Sequence, residues 1–286
     1  MSVFDGRRCE LGEGPLWHPL REELFWFDIP AGRLMSRDAA GETLRDLGEM
    51  ASAAGWIDRD RLLIASETTL SVLHLGTGAR ETVAPLIEPG SGLRSNDGRA
   101  DPWGGFWIGL MGKKAEAGAG SILRLCGGEL RRLHEGVTIP NAICFDGARS
   151  LGYFADSRRR TVWRQKLDPE TGWPAGEAEV FLDLTGESFA PDGAVVDAEG
   201  RFWNAQWGAG RVACYDPSGR LVAEERFAAS RLSCPAFGGA ELDTLYATSA
   251  QEGMDAAERA AEPDAGRTFA RRIAARGLPE PAVRLG

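Results

Sequence analysis

The sequence predicts an all-β fold, a six-bladed β-propeller that spans residues 1–286 as one domain. Three observations predict it. Motifs recur about six times at intervals of about 40–50 residues, a period that belongs to solenoids and propellers. Each recurring unit holds several short strands separated by turns rich in Asp, Gly, Pro and Arg, with almost no helical periodicity. The 37 glycines and nine tryptophans are plentiful, and they fall at matching places in successive units. Such a unit buries its faces only against its neighbours, which a ring of twisted four-stranded blades achieves.

The elements follow in order. The first unit, "EGPLWHPLREELFWFDIPAGRLMSRD" from Glu13, reads as a short strand, a turn, the aromatic strand FWFD and a third strand, RLMSRD. A weaker copy, "SAAGWIDRDRLLIASETTLSVLHLGTG", starts at Ser52. The third starts at Asn96 (NDGRADPWGGFWIGLM), and the fourth at Asn141 (NAICFDGARSLGYFADSRRRTVWRQKLDPETG). The fifth runs from Asp192 (DGAVVDAEGRFWNAQWGAGRVACYDPSG), and the sixth from Cys234 (CPAFGGAELDTLYATSA). The Trp and Phe of the second strands are expected between blades. The stretch "EGMDAAERAAEPDAGRTFARR", with some helical character, is expected to be a loop before a closing strand within RTFARRIAAR.

Composition narrows the function. A hydrophobic fraction of 43% with 26% charged residues fits a folded globular chain. The net charge of −9 excludes the basic face that nucleic-acid binding requires, and it suits a small ligand or a cation. The five cysteines, Cys9, Cys126, Cys144, Cys214 and Cys234, are odd in number, widely spaced and without a CxxC pair. They form neither a disulfide framework nor a thiolate zinc site. The start MSVFDGRRCELGEGP lacks a signal-length apolar core, and no window reaches the length of a membrane span. A cytoplasmic protein, a monomer, with no nucleic-acid or membrane partner is expected.

The polar residues that open the units raise the functional question. Asparagine is a poor strand residue and costly to bury unpaired, yet Asn141 begins an apolar strand after Pro140. In a propeller the first strand of each blade lines the central channel. The openers Glu13, Ser52 or Ala53, Asn96, Asn141, Asp192 and Cys234 should therefore converge on one axis. Two carboxylates and an amide carbonyl at Glu13, Asp192 and Asn141 suit a divalent cation at one end of that channel. Three protein ligands leave positions for water and substrate. Alternatively the openers only mark turns, and the acids are solvated.

Five segments carry a resemblance: LGEGPLWHP, LRSNDGRADPWGGFWIGLM, GVTIPNAICFD, PDGAVVDAEGRFWNAQWGAGRV and CPAFGGAELDTLYATSA. In this order, from about residue 7 to the end, the chain resembles the gluconolactonase/regucalcin (senescence marker protein) family. The resemblance implies a six-bladed propeller and a metal-dependent hydrolase of sugar lactones. It implies Glu13, Asn141 and Asp192 as metal ligands and Arg94 and Asn96 as substrate-binding residues. One divalent ion is implied, with Ca, Mg and Mn favoured by oxygen ligands and Zn or Fe(II) also compatible. Asp192 is the expected base toward water, with a small-molecule sugar lactone as the partner. The loop GKKAEAGAG departs from the acidic loop of animal members and resembles the bacterial sugar-lactonase branch. Lys114 is the substrate-binding candidate there, beside Lys113, and a solvated lid is the alternative.

Competing chemistries are weaker. No GxSxG nucleophile elbow occurs, and Gly118-Ala119-Gly120 does not join a strand to a helix. His18, His74 and His134 are scattered, and His18 reads as structural. Trp17 and Trp207 are candidates for the pocket wall or for the core. A non-catalytic calcium-binding or ligand-sensing propeller and a related propeller esterase are the alternative functions.

Overall fold

A computed structural model describes residues 2–285 as six four-stranded antiparallel sheets arranged as a six-bladed β-propeller. The inner strands, in chain order, are Gly12–His18, Ala51–Asp58, Leu93–Ala100, Pro140–Asp146, Ala190–Val196 and Leu232–Gly238. In blades one to five the strands run outward from the channel in sequence order.

Burial follows the same gradient. Inner and second strands are almost wholly buried, whereas fourth strands such as Glu42–Asp46 and Leu221–Arg226 are mostly exposed. The second-strand aromatics Trp26, Trp107, Tyr153 and Phe202 have no more than a trace of exposure. They sit in apolar clusters that draw on adjoining blades. Ala53, Leu63 and Ala65 of blade two meet Phe106, Ile108 and Leu110 of blade three. Tyr153 and Val162 of blade four likewise meet Phe202 and Ala213 of blade five. The core is thus divided into wedges between sheets, and the channel stays polar.

The closure corrects the sequence expectation. The strand Thr268–Arg272 is only the third of blade six, and the outermost is the N-terminal strand Ser2–Asp5. Pairing the two ends of the chain covers the edge of Thr268–Arg272 and closes the ring, with Ser2–Asp5 as the outer strand. The stretch ahead of Thr268 is also more ordered than a loop. It contains a short helix, Ala256–Ala261, capped by Asp255 and Glu258 in a reciprocal capping box.

Every inner strand slips register with its neighbour, as between Glu13 and Leu16 or between Asn141 and Cys144. These bulges re-aim side chains toward the channel. Two use left-handed backbone just after a polar opener, Gly14 and Ala142, each at φ 56°.

The C-terminal segment crosses the far end of the channel. Arg99, at the end of its inner strand, forms an ion pair with Glu280. The Val283 amide donates to Trp56 O (2.8 Å), and the Trp56 indole donates to Glu280 O (2.8 Å). Val283 is buried among residues of blades two and three. All five cysteines are free, and no helix among the described residues is long and apolar enough to cross a membrane.

Candidate active site

Opposite the C-terminal segment, the channel opens into a cavity of about 590 Å³. Glu13, Asn96, Asn141 and Asp192, from the inner strands of blades one, three, four and five, all line it. The other two openers do not. Ser52 is buried and donates from Oγ to Ser95 Oγ (2.8 Å). Cys234 is buried beside Gly193, where an added Cβ would meet its Sγ at 2.3 Å.

A relay of hydrogen bonds ties three blades together at the cavity floor. Arg94 donates from Nη1 to Asn96 Oδ1 (2.8 Å). Asn96 Nδ2 donates to Asn141 Oδ1 (3.0 Å) and to Pro140 O (2.9 Å). Asn141 Nδ2 donates to Ser157 Oγ (2.8 Å), which donates in turn to Pro191 O (2.6 Å). Each amide is held by its nitrogen, so its carbonyl orientation is fixed. This resolves the oddity of Asn141: it is buried with both its amide nitrogen and its oxygen hydrogen-bonded, and the oxygen keeps one acceptor position beyond the bond from Asn96.

The carboxylates are far less well satisfied. The Gly14 amide donates to Glu13 Oε2 (3.0 Å), whereas no side chain hydrogen-bonds the Asp192 carboxylate among the described residues. Asn204 braces only the backbone there, donating to Asp192 O (2.8 Å) and Gly193 O (3.1 Å). Burial, reinforced by the Asp97 charge, pushes the Glu13 carboxyl up to about 8. Burial also raises Asp192 well above the ordinary carboxylate range, with Glu13 and Asp97 adding to the shift. Asp97 itself is pushed by burial to about 6. Burial lowers the Arg94 guanidinium, opposed by Glu252, Glu13 and Asp192.

Among the described residues no three His, Cys, Asp or Glu side chains gather into a metal-binding cluster. The candidate set instead joins two carboxylates to amide oxygens. Crowded, buried and poorly bonded carboxylates beside oriented carbonyls fit a hard divalent cation, whose charge would relieve the repulsion between the acids.

The upper wall comes from the ends of second strands and the segments that follow them. Blade three supplies Lys113 and Lys114, and blade four Ser157, Arg158 and Arg160. Blade five supplies Trp207, and the segment after the second strand of blade six supplies Glu252. Lys113 forms an ion pair with Glu67 of blade two, while Lys114 is exposed on the rim. Trp17 belongs to the core, stacked on Tyr246 with centroids 5.7 Å apart. His18 is buried, with Nε2 3.0 Å from Asp58 O.

Asp97, Ser157, Arg158, Arg160 and Glu252 escaped the sequence reading. For Ser157, Arg158, Arg160 and Glu252 the signal was the repeat phase of the segment after the second strand, which supplies wall residues in blades three, four and six. Asp97 stood next to a recognised residue but points below the floor, accepting from the Ile143 amide (2.7 Å).

Residues 11–251 match the family described as the SMP-30/gluconolactonase/LRE-like region. The chain belongs to that family. Among its relatives is the pentonolactonase XacC of Haloferax volcanii, 36% identical over 288 residues that cover 97% of each chain. The 6-deoxy-6-sulfogluconolactonase of Pseudomonas putida is 33% identical over 275 residues, covering 95% of this chain and 94% of the relative. The crystal structure of a calcium-binding protein, regucalcin, from Agrobacterium tumefaciens superimposes with a TM-score of 0.97 at 41% identity. That match covers 99% of this chain and 97% of the other. The family therefore joins enzymes named for lactone hydrolysis with a protein named for calcium binding.

Proposed function

We propose that this protein hydrolyses a sugar lactone, opening an aldonolactone to its aldonic acid with the help of one divalent cation. Membership of the family places it with the lactonases, which are carboxylic ester hydrolases. The observation that carries the reading is the convergence of Glu13, Asn96, Asn141 and Asp192 on one cavity, with Arg94 bonded to the same network.

Glu13, Asn141 and Asp192 would hold the cation, with Asn96 fixing the Asn141 carbonyl. A divalent ion there supplies Lewis acidity toward the lactone carbonyl oxygen and lowers the pKa of water. Asp192, with no side chain occupying its carboxylate, takes the proton of the attacking water. Arg94 is pinned at Nη1 to Asn96 and Ser95 O, which leaves its other donors for the lactone oxygens. Holding lactone and water between the Arg94 guanidinium and the Asp192 carboxylate supplies alignment. Trp207, Met111 and Ile139 give the cavity apolar surface for a sugar ring. Lys114 reaches the substrate from the rim.

The test is proton release from a panel of aldonolactones. It compares metal-stripped protein, protein reloaded with Ca, Mg, Mn, Zn or Fe(II), and Asp192→Asn. Turnover that needs the ion and is lost in the variant, by about a hundredfold or more, is expected. Tight cation binding with no turnover of any lactone would favour a calcium-binding or ligand-sensing propeller instead.

A further inference from the structure

The chain carries more acids than bases, 42 against 33, and its cations are correspondingly well neutralised. Most arginines meet a carboxylate within 4 Å, as Arg124 does with Asp101 and Arg201 with Asp197. Others, such as Arg8, Arg45, Arg59 and Arg284, donate to backbone carbonyls. Among the described residues, Arg33, Lys114, Arg158, Arg160 and Lys166 are the cations whose side chains make neither kind of contact. Three of them, Lys114, Arg158 and Arg160, line the same cavity. In a protein with carboxylates to spare, unpartnered positive charge is concentrated at the one opening that leads to the reactive floor.

The placement is lopsided. Lys114 comes from blade three, and Arg158 and Arg160 come from blade four next to it. The acid on the upper wall, Glu252, comes from blade six, across the mouth. Below, the acids Glu13 and Asp192 line the floor. A molecule seated with its carbonyl at the floor and Arg94 therefore meets unpartnered positive charge at its outer end, on the side of blades three and four.

We propose that these three residues form an anion subsite. The preferred substrate is then a sugar lactone with a negatively charged group, a carboxylate, phosphate or sulfonate, at the end remote from the lactone carbonyl. This rests on the lactonase reading above and specifies its substrate class. Guanidinium groups bind such oxyanions through paired hydrogen bonds, and an ammonium adds a point charge. The floor gives a reason for selectivity as well. Arg94 is pinned there by Asn96 and Ser95 O with donors left for the lactone oxygens, so the lactone end is held down and the anion is left at the rim.

The experiment measures kcat/KM for a neutral gluconolactone and for its counterparts carrying a carboxylate, a phosphate or a sulfonate at the terminal carbon. It uses metal-loaded wild type, the double variant Arg158→Gln/Arg160→Gln and the charge-conserving Arg158→Lys/Arg160→Lys. At least one anionic lactone should exceed the neutral one by about tenfold or more in wild type, mainly through KM. The preference should collapse in the glutamine variant, persist in part in the lysine variant, and shrink as salt is raised. Which anion gains most identifies the group. A wild type that treats neutral and anionic lactones alike, or a preference untouched by the glutamine variant, overturns the proposal. If no lactone is hydrolysed, the lactonase reading fails by itself. Calorimetric binding of the corresponding anionic sugar acids to wild type and variants then decides the subsite, and equal or absent binding would refute it.

Discussion

At the scale of single residues, the site is organised by what holds each polar atom. Ser157 makes no contact with the carboxylates, yet it fixes the Asn141 amide by taking its Nδ2. Ser157→Ala should leave the fold intact and weaken cation binding by about tenfold, because supporting partners of ligand groups carry that order of effect. Calorimetry with Ca or Mn checks it, and unchanged affinity would remove Ser157 from the site. The buried acids make a second prediction. Glu13, Asp97 and Asp192 all have folded pKa values raised above those of an unfolded chain near 4. The folded, cation-free protein therefore binds more protons than the unfolded one at mildly acidic and neutral pH. The stabilisation this gives is complete below the unfolded values and is lost as pH rises through the folded ones, up to about 8 for Glu13. The Tm of chelator-treated protein should fall from pH 5 to pH 8, and saturating cation should flatten that fall. A cation-free Tm that climbs over this range would show that the acids are not held as described.

At the scale of elements, the inner-strand bulge is the device that turns a repeated strand into a site. Gly14 follows Glu13 in left-handed backbone, and a Cβ there would lie 2.2 Å from Ser52 O of the next blade. Ala142 follows Asn141 with the same φ, buried, yet carries its Cβ. Gly14→Ala should cost about 3 kcal/mol through backbone overpacking, whereas Ala142→Gly should be neutral or stabilise by up to about 1 kcal/mol by relieving the left-handed strain. Urea unfolding of both variants tests this, and a harmless Gly14→Ala would contradict the tight approach of blades one and two. The bulges also mark what the sequence could disclose. The openers were legible because Glu13, Asn96, Asn141 and Asp192 recur at one phase beside Gly, Pro or Asp. The bulge at Asn141 was hidden because an alanine stands where its counterpart is glycine. The wall residues Ser157, Arg158 and Arg160 were obscured by looking like any polar turn, since nothing local tells a turn at the channel mouth from one at the rim.

At the scale of the molecule, the six-fold ring was readable from period and turn chemistry, but its closure was not. Four residues, SVFD, are too few to carry a periodic signal, and their partner strand lies at the opposite end of the chain. Deleting residues 2–5 should leave Thr268–Arg272 as an open edge, lower the Tm by several degrees and promote association. Calorimetry and light scattering would detect this, and an unaltered, monodisperse variant would show that the N-terminal strand is dispensable. The C-terminal segment acts at the other end of the axis. With Glu280 on Arg99 and Val283 seated between blades two and three, the far opening is occupied by the chain itself. The channel is a cul-de-sac. Whatever enters must back out by the same door, so in the proposed reaction the product acid and the next lactone share one passage, and inhibition by the acid is the expected outcome in progress curves.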